Sequence, residues 1–330
     1  MTIVYLLAQA LLAWVVLGSA AVAWGMARPK RETPAVAMAR GHPIDPADVG
    51  LTAESMTFRL AKGVTTPGWV LTGGDPTGPD VVMLHGFSSS RSSALRRAAW
   101  VAPYARRVVA FDQRGAGESS AGWCTFGRLE SQDAAAVVEQ LPAPEGATEA
   151  GSAPVREGAA SVVLYGWSMG AQTAVLAAAD RPDLFAGVIA ESPFHTRDEP
   201  VQIRLRKRKL PAWPWVEFGA LLVQAMGGST PFDRGDDAAR VNAPVLVVHG
   251  EDDTVCLPHS GRRIAEAAPQ GRYIGVPGAR HNDLLDVGET AYRDAIAAFF
   301  ASLPAAPEMR PAPPHDHGSQ PPQAADAPSP

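Results

Sequence analysis

The stretch that most limits what this chain can fold into is Ser161-Val-Val-Leu-Tyr-Gly-Trp-Ser-Met-Gly-Ala-Gln-Thr-Ala174. Its first five residues are β-branched and apolar, in the manner of a buried parallel strand. Gly166-Trp167-Ser168-Met169-Gly170 follows as a G-x-S-x-G pattern, and an alanine-rich run of high helix propensity continues to Ala179. Strand, tight turn and helix in that order make a nucleophile elbow, which exposes a serine hydroxyl at the end of a sheet. The two glycines let strand and helix approach closely. The helix that begins there aims its N-terminal amides at any negative charge developing on a bound substrate.

The rest of the chain supplies the sheet such an elbow needs. Strand character recurs at 54–62, 68–72, 81–84, 108–111, 187–190, 245–248 and 272–276, with helical patterns at 91–104, 129–141 and 289–303. Strands alternating with helices predict an α/β fold, a mostly parallel central sheet with helices on both faces. Between 193 and 241 the alternation stops, which marks an inserted cap or lid. Residues 142–160, rich in Ala, Gly, Pro and Glu, read as an exposed insertion, and 304–330 as a disordered Pro/Ala-rich tail.

The N-terminus is different in kind. Residues 3–27 carry no charge, a length that spans a bilayer core, and Arg28, Lys30 and Arg31 follow immediately. No basic n-region precedes the run, and signal-peptide apolar regions are only about 7–15 residues long. We therefore expect a retained single-pass membrane anchor over 1–31, a linker over 32–50, and one domain over 51–303. The basic flank puts that domain on the cytoplasmic side. A net charge of -5 gives no reason to expect a nucleic-acid partner. Cys124 and Cys256, the only cysteines, fit no metal spacing and read as free thiols; no cofactor or metal is expected.

A serine nucleophile needs a base, and the base needs an orienting acid. On this kind of elbow the chain order is Ser, then Asp or Glu, then His. Val245-Leu-Val-Val-His-Gly-Glu-Asp-Asp253 places Glu251, Asp252 and Asp253 just past a strand, where ligands bind in open parallel sheets. Glu191 is a more distant alternative. His281 lies in the loop after the last strand, whereas His85 and His249 each end a strand before a glycine and read as structural. The oxyanion of an acyl intermediate needs two amide donors. Met169, next to the serine, and Phe87, in the turn after 81–84, are the candidates.

Taken together, these motifs resemble the α/β-hydrolase superfamily, and within it the membrane-anchored abhydrolase-domain serine hydrolases. His85-Gly86 resembles the oxyanion turn, and Phe111-Asp-Gln-Arg-Gly-Ala-Gly-Glu-Ser119 the D-x-R-G-x-G-x-S loop. Gly250-Glu-Asp-Asp253-Thr-Val resembles the G-x-x-D-x-x-V acid motif, and Gly278-Ala-Arg-His281-Asn-Asp the histidine turn. The resemblance implies Asp253 as the catalytic acid in a Ser168–Asp253–His281 triad that cleaves esters through an acyl-enzyme. It covers roughly 54–303. Haloalkane dehalogenases and epoxide hydrolases share the fold but use an Asp nucleophile, where this chain has Ser168. Amide cleavage, acyl transfer and a silent tethered interaction module are the competing readings. Arg204 to Trp215 in the lid combines five basic residues with Trp213 and Trp215, and an apolar stretch follows to Met226. Beside a membrane anchor, that composition favours an acyl or lipid-like ester substrate.

Overall fold

Eight strands assemble one sheet in the computed structural model, which describes residues 1–142 and 162–304. All but the first residue of the insertion expected at 142–160, and the tail expected at 304–330 beyond its first residue, lie outside the described residues. The strands are β1 (Ala53–Arg59), β2 (Thr65–Thr72), β3 (Asp80–Leu84), β4 (Arg107–Phe111), β5 (Val162–Trp167), β6 (Gly187–Glu191), β7 (Val245–Gly250) and β8 (Gly271–Val276). Their order across the sheet is β1-β2-β4-β3-β5-β6-β7-β8, with β2 antiparallel to its two neighbours and the rest parallel. From β3 the chain steps outward to β4, then returns to the other side of β3 as β5. The strand order reverses there, so a crevice opens at the C-terminal ends of β3 and β5, the place where open α/β sheets bind ligands.

The helices in chain order are α1 (Thr2–Ala27), α2 (Pro34–Ala39), α3 (Leu95–Val101), α4 (Glu130–Glu139), α5 (Met169–Asp180), α6 (Glu199–Lys207), α7 (Trp215–Ala225), α8 (Arg234–Ala238), α9 (Pro258–Ala267), α10 (Leu284–Val287) and α11 (Glu289–Ser302). Alternate residues of the central strands point to opposite faces. Val82, Leu164 and Val247 pack under α4, α5 and α9, while Val81, Tyr165 and Val248 pack under α3 and α11. Between β6 and β7 lie α6, α7 and α8, the inserted cap.

Two expectations change. The stretch 32–50 is folded against the domain instead of linking to it. Glu32 is buried and accepts hydrogen bonds from Arg40 Nη1 and Ser90 Oγ, both at 2.8 Å. Thr33 caps the short helix α2, and Asp45 and Asp48 close a capping box around the turn at Pro46–Val49. Just before it, Arg31 donates to the carbonyls of Gly117 (3.1 Å) and Ser119 (2.7 Å). A buried carboxylate with charged partners is costly to expose, so this segment stays on the domain.

The second change concerns α1. Among the described residues it is the one helix long and apolar enough to cross a membrane, with mean hydropathy 2.0. It is not free-standing, however. Gly18, Ser19, Val22, Ala23, Met26 and Ala27 are buried, largely against α7. Trp215 Nε1 donates to the Trp14 carbonyl at 3.1 Å, and the two indole rings lie 5.0 Å apart. The crossing depends on two glycines. A Cβ on Gly18 would fall 2.0 Å from Trp215 Nε1, and one on Gly219 would fall 2.8 Å from Val22 Cγ1 and 2.9 Å from the Ser19 carbonyl. The end of α1 is fastened as well, by the Cys124 amide donating to the Ala27 carbonyl at 2.9 Å.

Gly219→Leu should therefore force α1 and α7 apart and destabilise the protein by about 1–3 kcal/mol, as overpacking does. An unchanged denaturation midpoint would show that the crossing is not formed. Glu32 predicts an acid dependence. Burial pushes its pKa up, but hydrogen bonds from His42, Ser90 and Arg40 outweigh that and hold it down at about 2. A depressed carboxyl contributes stability above its unfolded value, here 4.5, and loses it as pH falls toward 2. Glu32→Gln should accordingly be less stable than the parent at pH 6 and should converge with it on acidification. Parallel curves for the two proteins would contradict this.

Candidate active site

At the end of β5 the backbone turns at Ser168 with φ 53° and ψ -117° and enters α5 at once. A non-glycine residue at positive φ is strained and persists only where its surroundings fix it. Here the Ser168 amide donates to the Glu191 carbonyl at 2.8 Å, which ties the turn to the end of β6. A Cβ on Gly166 would fall 2.2 Å from the Gly170 carbonyl oxygen, and one on Gly170 only 1.8 Å from that of Leu84. Both glycines of the G-x-S-x-G pattern are thus required by close approach.

His281, in the loop after β8, reaches back over the sheet edge. Its Nε2 lies 3.1 Å from Ser168 Oγ and its Nδ1 lies 2.7 Å from Asp253 Oδ2. A carboxylate at Nδ1 keeps the proton there, leaving Nε2 to accept from the serine hydroxyl. Asp253 is buried, and its Oδ1 accepts from the amides of Val255 (2.7 Å) and Cys256 (3.0 Å). Burial pushes its pKa up, but the neighbouring His249 and His281 and these amides outweigh burial and hold the carboxyl well below the usual range.

The other carboxylates weighed from sequence are engaged elsewhere or turned away. Glu251 pairs with Arg262 at 2.7 Å and accepts from the Tyr273 hydroxyl. Glu191 is buried among Arg97, Tyr165 and Tyr292, and Asp252 is exposed. None of the three bonds His281 among the described residues. His249 sits behind the acid, donating from Nε2 to the Cys256 carbonyl at 2.9 Å with Asp253 Oδ2 at 3.4 Å.

Phe87 and Met169 follow the neighbouring ends of β3 and β5, and their amides have no protein acceptor among the described residues. Sequence reasoning left His85 as a structural residue without saying what it holds. Its Nε2 accepts from the Gln113 amide at 2.9 Å, so its proton is on Nδ1, which donates to the Gly86 carbonyl at 2.8 Å. In a trans peptide, fixing that carbonyl also fixes the opposite direction of the Phe87 N–H. Buried His85 therefore fixes the orientation of the Phe87 N–H without itself lining the cavity in front of Ser168.

That cavity has a volume of about 870 Å³. Ser168 and His281 line it, with Phe126, Phe194, Val201, Leu205 and Trp215 as apolar walls. One wall was invisible from sequence: Gly18, Ala21, Val22, Gly25 and Met26 of α1. The small residues that let α1 lie against α7 also open space beside the serine.

The pattern of the alpha/beta hydrolase family matches residues 81–299, from β3 into α11. The chain belongs to that family. A relative in Mycobacterium tuberculosis, the uncharacterized protein Rv2307c, is 30% identical over 246 residues, covering 72% of this hydrolase and 75% of the relative. Among solved structures, the Pyrococcus furiosus esterase Pf2001 superposes with a TM-score of 0.64 at 21% identity, covering 84% of this chain and 98% of that one. An esterase from Thermogutta terrifontis gives 0.54 at 22% identity, covering 76% and 98%. The fold is shared with both.

The contacts of Asp253 make a sharp prediction. Asp253→Asn keeps the shape but removes the charge and the tautomer control, so kcat for an ester should fall by about three to four orders of magnitude. Asp252→Asn, one residue away and exposed, should leave it within about twofold. The reverse pattern in steady-state kinetics would move the acid to Asp252.

Proposed function

We propose that the protein is a serine hydrolase that cleaves carboxylic esters through an acyl-enzyme, with Ser168 as nucleophile, His281 as base and Asp253 as orienting acid. The single observation that carries this reading is the continuous hydrogen-bond chain Asp253–His281–Ser168 opening onto an apolar cavity. In this mechanism Ser168 Oγ attacks the ester carbonyl as His281 Nε2 takes its proton. The oxygen that becomes negative is received by the amides of Phe87 and Met169, reinforced by the N-terminus of α5. His281 returns the proton to the leaving alcohol, and a water repeats the sequence on the acyl-enzyme. The esterases among the structural neighbours agree with this chemistry.

The same proposal places α1 in a membrane with the domain on the cytoplasmic side, as Arg28, Lys30 and Arg31 favour. Residues 2–17, which carry no buried side chain, reach only about 24 Å at the helical rise. A hydrocarbon core is about 30 Å thick. Spanning it draws part of the α1–α7 crossing into the membrane boundary, which suits the exposed Phe218, Leu221 and Leu222 of α7 and the neighbouring Trp213. A cavity walled partly by α1 then lies next to the leaflet, and a long acyl ester becomes its natural substrate.

A fluorophosphonate probe should label the wild-type chain, and Ser168→Ala should abolish labelling while the protein remains folded. Labelled protein should stay in the membrane fraction through an alkaline carbonate wash. Absence of labelling would overturn the hydrolase reading, and release by carbonate would overturn the spanning helix.

A further inference from the structure

The charge around the cavity points to what the ester carries, an inference that rests on the hydrolase reading above. Five arginines line the cavity against one carboxylate, Glu32. Three of them are matched: Arg40 by Glu32, Arg96 by Asp286 and Arg97 by Glu191. Arg204 and Arg208 are not. Neither side chain makes an ion pair or hydrogen bond among the described residues.

These two stand four residues apart, in the last turn and at the C-cap of α6, so they share one helix face. Their position at the helix C-terminus accounts for part of the basic run, because cations there meet the negative end of the helix dipole. Arg206 and Lys207 meet that need equally well, and Lys207 Nζ donates to Thr254 Oγ1 at 2.7 Å. Neither Arg206 nor Lys207 lines the cavity. Both side chains are exposed; the dipole gives no reason for two like charges four residues apart to line the cavity together, an arrangement that an anion between them would stabilise.

The α1 wall offers the opposite chemistry, with Gly18, Ala21, Val22 and Gly25 at helical spacing. We propose that Arg204 and Arg208 form an anion subsite, and that the substrate is an acyl ester bearing a phosphate group. Its chain lies along α1, its ester carbonyl at Ser168, and its phosphate between the two guanidinium forks, whose planar donors match phosphate oxygens in pairs.

The test uses the full-length protein in a non-ionic detergent, so that membrane charge plays no part. Substrates of one acyl chain are compared in pairs that share the scissile bond: a lysophosphatidylglycerol against the neutral monoacylglycerol, and, as soluble phosphate carrier, the acyl-coenzyme A thioester against the neutral N-acetylcysteamine thioester. Wild type should favour a phosphate-bearing substrate over the neutral one by about tenfold or more in kcat/KM, the scale of a charge-assisted contact. Arg204→Gln/Arg208→Gln should bring that ratio close to one, mainly through KM, and Arg204→Lys/Arg208→Lys should keep part of it. The ratio is internal to each variant, so a loss of folded protein cancels. A lead for the lysophospholipid or for the coenzyme A ester assigns the phosphate to a lipid headgroup or to a soluble carrier, and either sustains the subsite. Equal rates on neutral and anionic esters, or a preference that survives the Gln pair, would overturn the subsite and leave the hydrolase reading standing. No turnover of any ester would count instead against the hydrolase reading itself.

Discussion

The contact on which the site depends is the approach of Gly170 to the Leu84 carbonyl, closer than any Cβ would allow. It brings the first turn of α5 down onto the end of β3. One approach therefore brings together the strained serine, the Met169 amide beside it, and the loop that carries Phe87. Ser168 holds an unfavourable backbone geometry that costs about 1–3 kcal/mol, and the pairing of β5 with β3 and β6 keeps it there. Ser168 and the amides beside it need little freedom of their own, because the sheet has already placed them.

Around that fixed edge, the cavity is assembled from distant parts of the chain. The sheet contributes Ser168 and the turn after β3, the cap contributes α6 and Trp215, and the N-terminal helix contributes a wall of small residues. A third apolar cluster joins Val22, Ala23 and Met26 of α1 to Phe126, Met169, Phe194 and Val223. Met169 thus belongs to the elbow and to the packing of α1 at once. The position of α1 and the shape of the site are mechanically linked through one side chain.

What the sequence made legible was local. The central strands are short β-branched or apolar runs, and the four motifs that hold Phe87, Ser168, Asp253 and His281 each sit just past a strand end, so chain order alone brought them to one edge. What it hid was non-local. Residues 32–50 have the Pro/Ala composition of a linker, and that composition does not reveal the meeting of Glu32 with Ser90, 58 residues away. The last third of α1 reads as uninterrupted apolar span, since Gly18, Ser19 and Ala23 raise no signal without Gly219 and Trp215 opposite them. The task of His85 was hidden for the same reason, its partner Gln113 being 28 residues away.

The crossing of α1 with α7 also sets an order of assembly. Trp14 and Trp215 are 201 positions apart, so α1 waits for a partner that is made long after it. Contacts of such separation form late, after the loop between them has been closed by other structure. The sheet and its elbow are complete as soon as β8 has paired, yet the chamber beside the serine stays open until α1 docks. A newly made chain would then hold Ser168 in place before it has a closed chamber around it, and maturation becomes the docking of one helix.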